Sequence, residues 1–362
     1  MNRRQLIATL PALGLAGTAF AQPPAAPQAG APPAAAGAPP AGAPPGAGRG
    51  GGRGGAPAAP VEPALPMTIL ATGLQFPEAP VWMRDGSVLF VQIPKGEISR
   101  LTPDGKVELW CKTGDSPNGL AFGPDGALYV ANDGNRFGFT PPRADGSATL
   151  GGASPMPIVP GKIQRVDPRT KAVTTLFSSV EGKEMLAPDD LVFGPDGSLW
   201  VSEYGRAAGT GAIYWVSPDL KTIKIARANL NSPNGIGVSP DGKMLHVSMG
   251  GNLLGFDITA PGVLATTTYP NNGVQAPLNG TADSLKVMAD GTVAVCSLLR
   301  PGGIGLHRGS NPVEFLAFPD RFTTNLAFGG ADYRDAWLTF SDTGRIAKVR
   351  WPSAGLKPKF PR

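Results

Sequence analysis

The chain has 362 residues, including 50 glycines and 40 prolines, and a formal net charge of +5. Part of that charge comes from arginines near the N-terminus, and no basic stripe follows them, so the composition does not indicate nucleic-acid binding. Beyond the N-terminal region, no segment is apolar over the length that a membrane-spanning helix requires. Length alone would suggest two domains.

Residues 1–21 are predicted to be an export signal. A basic start with Arg3 and Arg4 precedes a mostly apolar run to Ala16 and a small-residue cleavage site that ends at Ala21. The two arginines fit either a twin-arginine signal, which exports folded proteins, or the basic part of an ordinary signal. We therefore expect a periplasmic or secreted bacterial protein.

Residues 22–66 are predicted to be a disordered linker. This stretch is nearly all Ala, Pro and Gly, and its only cations are Arg49 and Arg53. It has too few side chains to bury for a packed structure, and two arginines are too few for a nucleic-acid-binding arm.

From Met67 to Trp351 one pattern recurs six times. Each copy is a polar residue, a short apolar strand, a hairpin and a second apolar strand. The clearest copy runs from Pro233 to Ser248, with its hairpin at Pro240-Asp241-Gly242. A third strand follows every copy and a fourth follows five of them. Four-stranded repeats of roughly forty to fifty residues are typical of β-propellers.

We therefore predict an all-β fold, a six-bladed β-propeller over residues 67–352 with four antiparallel strands per blade and a tail at 353–362. The sixth repeat lacks a fourth strand, which would leave an open sheet edge. The extended run at 67–73 is expected to fill this place, so that an N-terminal strand closes the ring. A segment at 134–160, rich in Gly and Pro, interrupts the second blade and is expected to fold over the channel mouth.

A propeller arranges the first strand of every blade around a central channel, so residues that open these strands lie at one height. The six openers are all polar: Glu78, Asn118, Asp189, Asn234, Asp283 and Asn325. A single Asn or Asp here is more simply a turn residue. The hairpins have their own Asp-Gly pairs, however, and Glu78 has no turn role, so the set indicates a site at the channel mouth.

Three carboxylates in a narrow channel repel one another and lose hydration, so they need protons or a cation. Ligands that are all oxygen favour calcium, with magnesium or manganese as alternatives. Zinc is a weaker alternative, because the only two histidines, His246 and His307, lie in outer strands away from the ring.

Other classes of chemistry lack support in the sequence. There is no Gly-x-Ser-x-Gly elbow, phosphate loop or dinucleotide fingerprint. The two cysteines, Cys111 and Cys296, lie in the first and fifth blades, which are not neighbours in a ring of six. We therefore expect two buried free thiols and no disulfide.

Several motifs resemble the senescence marker protein 30, gluconolactonase and luciferin-regenerating enzyme family. They include Pro77-Glu78-Ala79-Pro80, Pro117-Asn118-Gly119-Leu120, Pro233-Asn234-Gly235 and Thr324-Asn325-Leu326. The resemblance implies a calcium-type site and the opening of lactones, which are small-molecule cyclic esters. It implies the metal ligands Glu78, Asp189, Asn234 and Asp283.

Roles in catalysis and substrate binding follow from the same resemblance and from position. Asp283 is the expected general base or nucleophile, and Asp190, next to the expected ligand Asp189, is a second candidate base. Asn118, Asp189 and Asn325 are expected to contact the substrate.

One departure from the family pattern bears on the substrate. Ala187 stands where animal members carry an arginine that contacts sugar, which weighs against an aldonolactone. Two rival functions remain open at this point. One is a secreted propeller that binds a ligand without turnover, and the other is organophosphate ester hydrolysis.

Overall fold

The computed structural model describes residues 61–154, 156–265, 276–277, 280–299, 301–309 and 311–360. The predicted export signal and residues 22–60 of the predicted linker lie outside these ranges. In the described part the protein is all-β, with six blade sheets that each radiate from a common axis and one separate two-stranded ribbon. The predicted six-bladed propeller is confirmed.

The first three blades each hold four antiparallel strands. From the axis outward they are Pro77–Trp82, Val88–Gln92, Glu97–Leu101 and Val107–Lys112; Pro117–Phe122, Leu128–Asn132, Lys162–Val166 and Val173–Phe177; and Pro188–Phe193, Leu199–Glu203, Gly211–Val216 and Ile223–Leu230. A 3-10 turn, Ile93–Lys95, follows the second strand of the first blade, and a short ribbon of Ser179–Val180 with Lys183–Glu184 precedes the third blade.

The last three blades follow the same order. Their strands are Pro233–Val238, Met244–Met249, Asn252–Ala260 and Val263–Leu264; Thr281–Val287, Val293–Leu298, Gly303–Arg308 and Asn311–Ala317; and Thr323–Gly329, Asp335–Phe340, Arg345–Arg350 and Met67–Ala71. The fourth blade departs from the prediction of one regular outer strand. Pro261 and Gly262 turn the chain after Ala260, so Val263–Leu264 is short, and Ala276–Pro277 pairs with the other end of the third strand.

The ring is closed. Each innermost strand contacts the innermost strands of both neighbouring blades, and the first blade's contacts the sixth's. The strand Met67–Ala71 pairs antiparallel with Arg345–Arg350, with Met67 opposite Val349. The predicted closure by an N-terminal strand is therefore confirmed, and it removes the open edge of the sixth blade.

The hydrophobic core lies between neighbouring blades. Alternate side chains of each strand face the next sheet, so Leu89 and Val91 of the first blade pack with Leu120 and Phe122 of the second. Comparable clusters of buried residues occupy the other blade interfaces in the described residues. Each blade buries its faces against its neighbours, as a repeat architecture requires.

The C-terminal segment closes the end of the channel opposite to the predicted site. The Leu356 N–H donates to Val287 O over 3.1 Å. The ring of Phe360 stands edge-on to Phe193 at 5.7 Å. Between this segment and the far ends of the inner strands lies a cavity of about 430 Å³, and none of the predicted site residues lines it.

The two cysteines are as the sequence analysis predicted. Cys111 and Cys296 are free and buried. His246 and His307 lie in the second strand of the fourth blade and the third strand of the fifth. In the ranges that the structure describes, no helix has the length and apolar character needed to cross a membrane.

Candidate metal and hydrolase site at the channel mouth

The structure brings the six strand-opening residues together at one end of the channel. All six are buried, with Asn118, Asn234 and Asp283 retaining 7–9% exposure. Direct contacts join neighbouring blades: the Asn325 Nδ2 donates to Glu78 Oε2 over 2.7 Å, and the Asn234 side chain hydrogen-bonds to Asp283. These side chains therefore face a common space.

The inner strand of each blade has a β-bulge at or directly beside its site residue. The pairing register with the second strand shifts between Pro117 and Leu120, so Asn118 lies within the irregular part. Corresponding shifts occur in the other five inner strands. A bulge leaves a residue outside the ladder and redirects its side chain, and such bulges are frequent next to active sites.

Serines at the ends of second strands satisfy the backbone groups that the bulges release. The Ser248 Oγ accepts from the Gly235 N–H at 2.7 Å and donates to Asp283 O in the next blade. In the same way Ser202 accepts from the Asp190 N–H and donates to Asn234 O. Each serine thereby fixes the backbone of a site residue in the blade that follows.

Glycine follows two of the site asparagines because the inner strands approach closely there. A Cβ on Gly119 would lie 2.7 Å from Asp190 Cα, and one on Gly235 would lie 2.5 Å from Leu285 N. Both distances are shorter than any side chain tolerates, so the Asn-Gly pairs allow neighbouring inner strands to converge on the site.

Burial makes ionisation of the site carboxylates unfavourable. Burial raises the pKa of Glu78 to about 7, although Asn325 and the Ala79 N–H donate hydrogen bonds to it. Burial, followed by the negative charge of Asp283, raises the pKa of Asp189 well above its usual value. Burial and the charge of Glu78 act on the pKa of Asp283 in the same direction. A cation bound among these groups would favour their ionised forms and lower their pKa values.

Several buried oxygens at the site have no hydrogen-bond partner in the protein. They are Glu78 Oε1, Asp189 Oδ2, Asp190 Oδ2 and Asn234 Oδ1. Buried polar atoms are normally satisfied, so a cluster of unsatisfied acceptors indicates a place for a cation or for bound water. Among the described residues, no group of three His, Cys, Asp or Glu side chains forms a ready-made metal cluster. The fit therefore rests on a mixed set of carboxylate and amide oxygens.

Asp190 differs from the other site carboxylates in its partners. Its Oδ1 accepts from the Leu191 N–H at 2.8 Å. Its Oδ2 lies 3.7 Å from Lys286 Nζ, close enough for an ion pair and too far for a hydrogen bond. Lys286 also lines the cavity below the site, so Asp190 links the site to the lower channel.

The Asn325 side chain mainly orients Glu78, one of the predicted metal ligands. Its amide nitrogen donates to Glu78, and its oxygen accepts from the Leu326 N–H at 2.8 Å. The structure thus gives Asn325 a role in holding Glu78, while its contact with substrate stays a prediction. The roles predicted for Glu78, Asn118, Asp189, Asp190, Asn234 and Asp283 stay predictions as well.

The segment 134–160 lies along the rim on the same side as the site. The Phe76 N–H, just before the first inner strand, donates to Ala148 O over 3.2 Å. Arg143 forms an ion pair with Asp342 of the sixth blade at 3.2 Å. The insertion from the second blade therefore reaches the first and sixth blades at the channel mouth.

The fold and the site define a class of protein. It is a closed propeller with buried carboxylate and amide oxygens at one mouth of its channel. Within that class, the chain belongs to the SMP-30/Gluconolactonase/LRE-like family, whose model matches residues 76–342.

Curated relatives and solved structures extend this assignment. The chain is 24% identical to a gluconolactonase of Zymomonas mobilis over 81% of this chain and 83% of that protein. It is 27% identical to the lactonase drp35 of Staphylococcus saprophyticus over 73% of this chain and 76% of that protein. The calcium-binding protein regucalcin of Agrobacterium tumefaciens has the same fold, with a TM-score of 0.64 at 18% identity over 82% of this chain and 98% of that one.

Two features of the site were not found by sequence reasoning. The serine near the end of the second strand recurs as Ser202, Ser248 and Ser297, and as Ser341 directly after that strand in the sixth blade. An alignment of the repeats would have given this signal. The bulges have no comparable signal, because they arise from the register between two strands and leave no mark on the apolar pattern of either.

Proposed function

We propose that the protein is an exported, metal-dependent hydrolase that opens lactones. The observation that carries this proposal is the set of unpartnered, buried oxygens on Glu78, Asp189 and Asn234 beside Asp283. The relatives named gluconolactonase and lactonase support the substrate class. Export rests on the basic and apolar sequence of residues 1–21.

Glu78, Asp189, Asn234 and Asp283 would hold a divalent cation, for which calcium is the first choice. When bound, such an ion supplies Lewis-acid polarisation of the lactone carbonyl and stabilises the negative charge that develops on its oxygen. The family resemblance and the all-oxygen donor set both favour a hard cation over zinc.

The carboxylate of Asp283 acts as the general base. It is oriented by hydrogen bonds from the Asn234 side chain and the Ser284 N–H. It takes a proton from a water molecule whose oxygen adds to the carbonyl carbon. The ring C–O bond then breaks, and the proton passes to the departing ring oxygen, giving a hydroxy acid.

Asn118 and Asp189 would orient the reactants. Asn118 keeps 7% exposure at the mouth, so its amide can reach a substrate that enters there. Asp190 is the weaker candidate for the base, because its two oxygens already face the Leu191 N–H and Lys286.

The test uses the purified mature chain, starting at Gln22, with its metal content measured. Six-membered and five-membered lactones and one phosphotriester are assayed before chelation, after chelation and after calcium is restored. We expect calcium-dependent lactone opening that falls at least about a hundredfold on chelation.

Three results would contradict parts of the proposal in different ways. Full lactone turnover after the metal is removed would exclude the metal mechanism. Faster turnover of the phosphotriester than of every lactone would favour the organophosphate hydrolase. Metal binding without turnover of any of these substrates would favour a binding protein.

A further inference from the structure

An aromatic pair lies at the rim of the mouth, formed by residues from two different blades. Phe137 belongs to the insertion of the second blade, and Tyr204 follows the second strand of the third blade. Their ring centroids are 5.3 Å apart and their planes meet at 75°. Both residues are only half-buried, so part of each side chain remains accessible at the rim.

Tyr204 spans the rim from the third blade to the fourth. Its N–H donates to Ala187 O over 2.9 Å, two residues before Asp189. Its hydroxyl reaches the side chain of Ser232, which directly precedes Pro233 and Asn234. The ring therefore lies beside two of the proposed metal ligands. In agreement, burial and then the nearby negative charges of Asp189 and Asp283 raise the pKa of Tyr204.

Two arginines fix Phe137 in this position. The Arg136 Nε donates to Gly205 O over 3.2 Å, from the insertion to the third blade. Arg206 of the third blade donates in the opposite direction to Val159 O of the insertion. This reciprocal pair holds the insertion against the loop that carries Tyr204, so the two rings are preorganised.

The rim near these rings carries charged as well as apolar side chains, since the Arg136 guanidinium lies 5.5 Å from the centre of the Phe137 ring. The insertion also exposes Met156 and Ile158, which retain 44% and 52% of their accessible surface. Asn135 Nδ2 donates to Pro157 O at 2.9 Å, which ties that stretch to the residues just before Phe137.

This surface suits one kind of substituent better than another. An alkyl or aryl group placed against the rings leaves water and gains about 25 cal/mol for each square ångström of apolar surface buried. A polyhydroxylated group placed there loses hydrogen bonds to water, and aromatic rings cannot replace them.

We propose that Phe137 and Tyr204 form the wall that receives an apolar substituent of the lactone, so that the enzyme favours alkyl- or aryl-substituted lactones over polyhydroxylated sugar lactones. The inference rests on the lactone-opening activity proposed above. It adds the substrate class and the two residues that select it.

The experiment compares three six-membered lactones on the calcium-loaded mature protein: δ-valerolactone, δ-decalactone, which carries an alkyl chain, and glucono-δ-lactone. We expect kcat/KM for δ-decalactone to exceed the other two by at least about tenfold. Phe137→Ala is expected to remove most of this preference, measured as the ratio of kcat/KM for δ-decalactone to kcat/KM for δ-valerolactone.

Two further variants separate selectivity from folding. Tyr204→Phe keeps the ring and is expected to keep the preference, whereas Tyr204→Ala is expected to reduce it. Phe139→Leu is the matched control, because Phe139 lies in the same insertion but packs against Phe76 at 5.2 Å. The preference is a ratio of two rates on one preparation, so a loss of folded protein cancels.

The outcomes distinguish this inference from the activity on which it rests. A wild-type preference for glucono-δ-lactone, or equal losses with all three lactones in Phe137→Ala, would overturn the selectivity and leave the lactonase proposal standing. Absence of turnover with every lactone would overturn both.

Discussion

Aspartates occupy both ends of the inner strands, and the protein treats the two groups in opposite ways. At the hairpins, Asp241 accepts from the Ser239 hydroxyl and the Lys243 N–H, and these bonds lower its pKa. At the mouth, burial and neighbouring charges raise the pKa of Asp189 and Asp283. The Asp241 carboxylate is satisfied by its own turn, whereas Glu78, Asp189 and Asp190 at the mouth each have an oxygen without a hydrogen-bond partner. Repetition of a residue type therefore marks a site only where local partners are missing.

The largest expected effect comes from replacing the carboxylate at the mouth end of the fifth blade. The carboxylate at the hairpin end of the same blade provides the control. Asp283→Asn removes the general base and should lower kcat for lactone opening by about 10²–10⁴-fold. Asp290→Asn is the matched control, because Asp290 accepts from the Thr292 N–H at 3.0 Å and pairs with Arg308 at the surface. Steady-state kinetics on both variants provide the measurement. Equal kcat values for Asp283→Asn and Asp290→Asn would remove the functional distinction between the two groups.

An intermediate effect is expected in the stability of the metal-free protein. Glu78 has a pKa of about 7 when folded and an ordinary value of 4.5, so its proton is bound more tightly in the folded state. The contribution to stability is present below pH 4.5 and is lost as the pH rises through 7, by about 3 kcal/mol.

Thermal unfolding in chelator between pH 5 and pH 8 checks this expectation. Wild-type stability should fall across the window, and Glu78→Gln should show a smaller fall, because Asp189 and Asp283 contribute with the same sign. Calcium should stabilise the wild type most at pH 8. A metal-free protein that becomes more stable from pH 5 to pH 8 would contradict the raised pKa values.

The smallest effect is expected at a hairpin. Asp241→Ala removes the hydrogen bonds from Ser239 and the Lys243 N–H, both of which lie near the protein surface. We expect a loss of about 1 kcal/mol in the free energy of unfolding and no change in kcat. Urea unfolding and the lactone assay provide the two measurements. A large drop in kcat without a matching loss of stability would mean that the hairpin carboxylates also serve the site.

The fold was predictable from the sequence because each blade repeats its own local signals. Apolar strands alternate with Asp-Gly hairpins, and the missing sixth outer strand is matched by the extended run that begins at Met67. The ring of polar residues followed from the same period, since equivalent positions of a repeat lie at equivalent heights.

Contacts between distant segments were not predictable in this way. The hydrogen bond from Asn325 to Glu78 joins residues 247 positions apart. The pairing of Phe137 with Tyr204 depends on how an insertion packs against another blade. The split outer strand of the fourth blade follows from the turn at Pro261 and Gly262, which overrode the repeat pattern. Such features depend on tertiary packing, about which the periodicity of the sequence carries no information.

The pairing of Met67 with Val349 makes folding depend on both ends of the propeller domain. One blade is assembled from both extremes of the domain, so the chain must be synthesised as far as Arg350 before that sheet exists. Bringing such remote segments together is slow, because a very long loop must be ordered first. Loss of either extreme would leave an exposed sheet edge, and exposed edges promote aggregation.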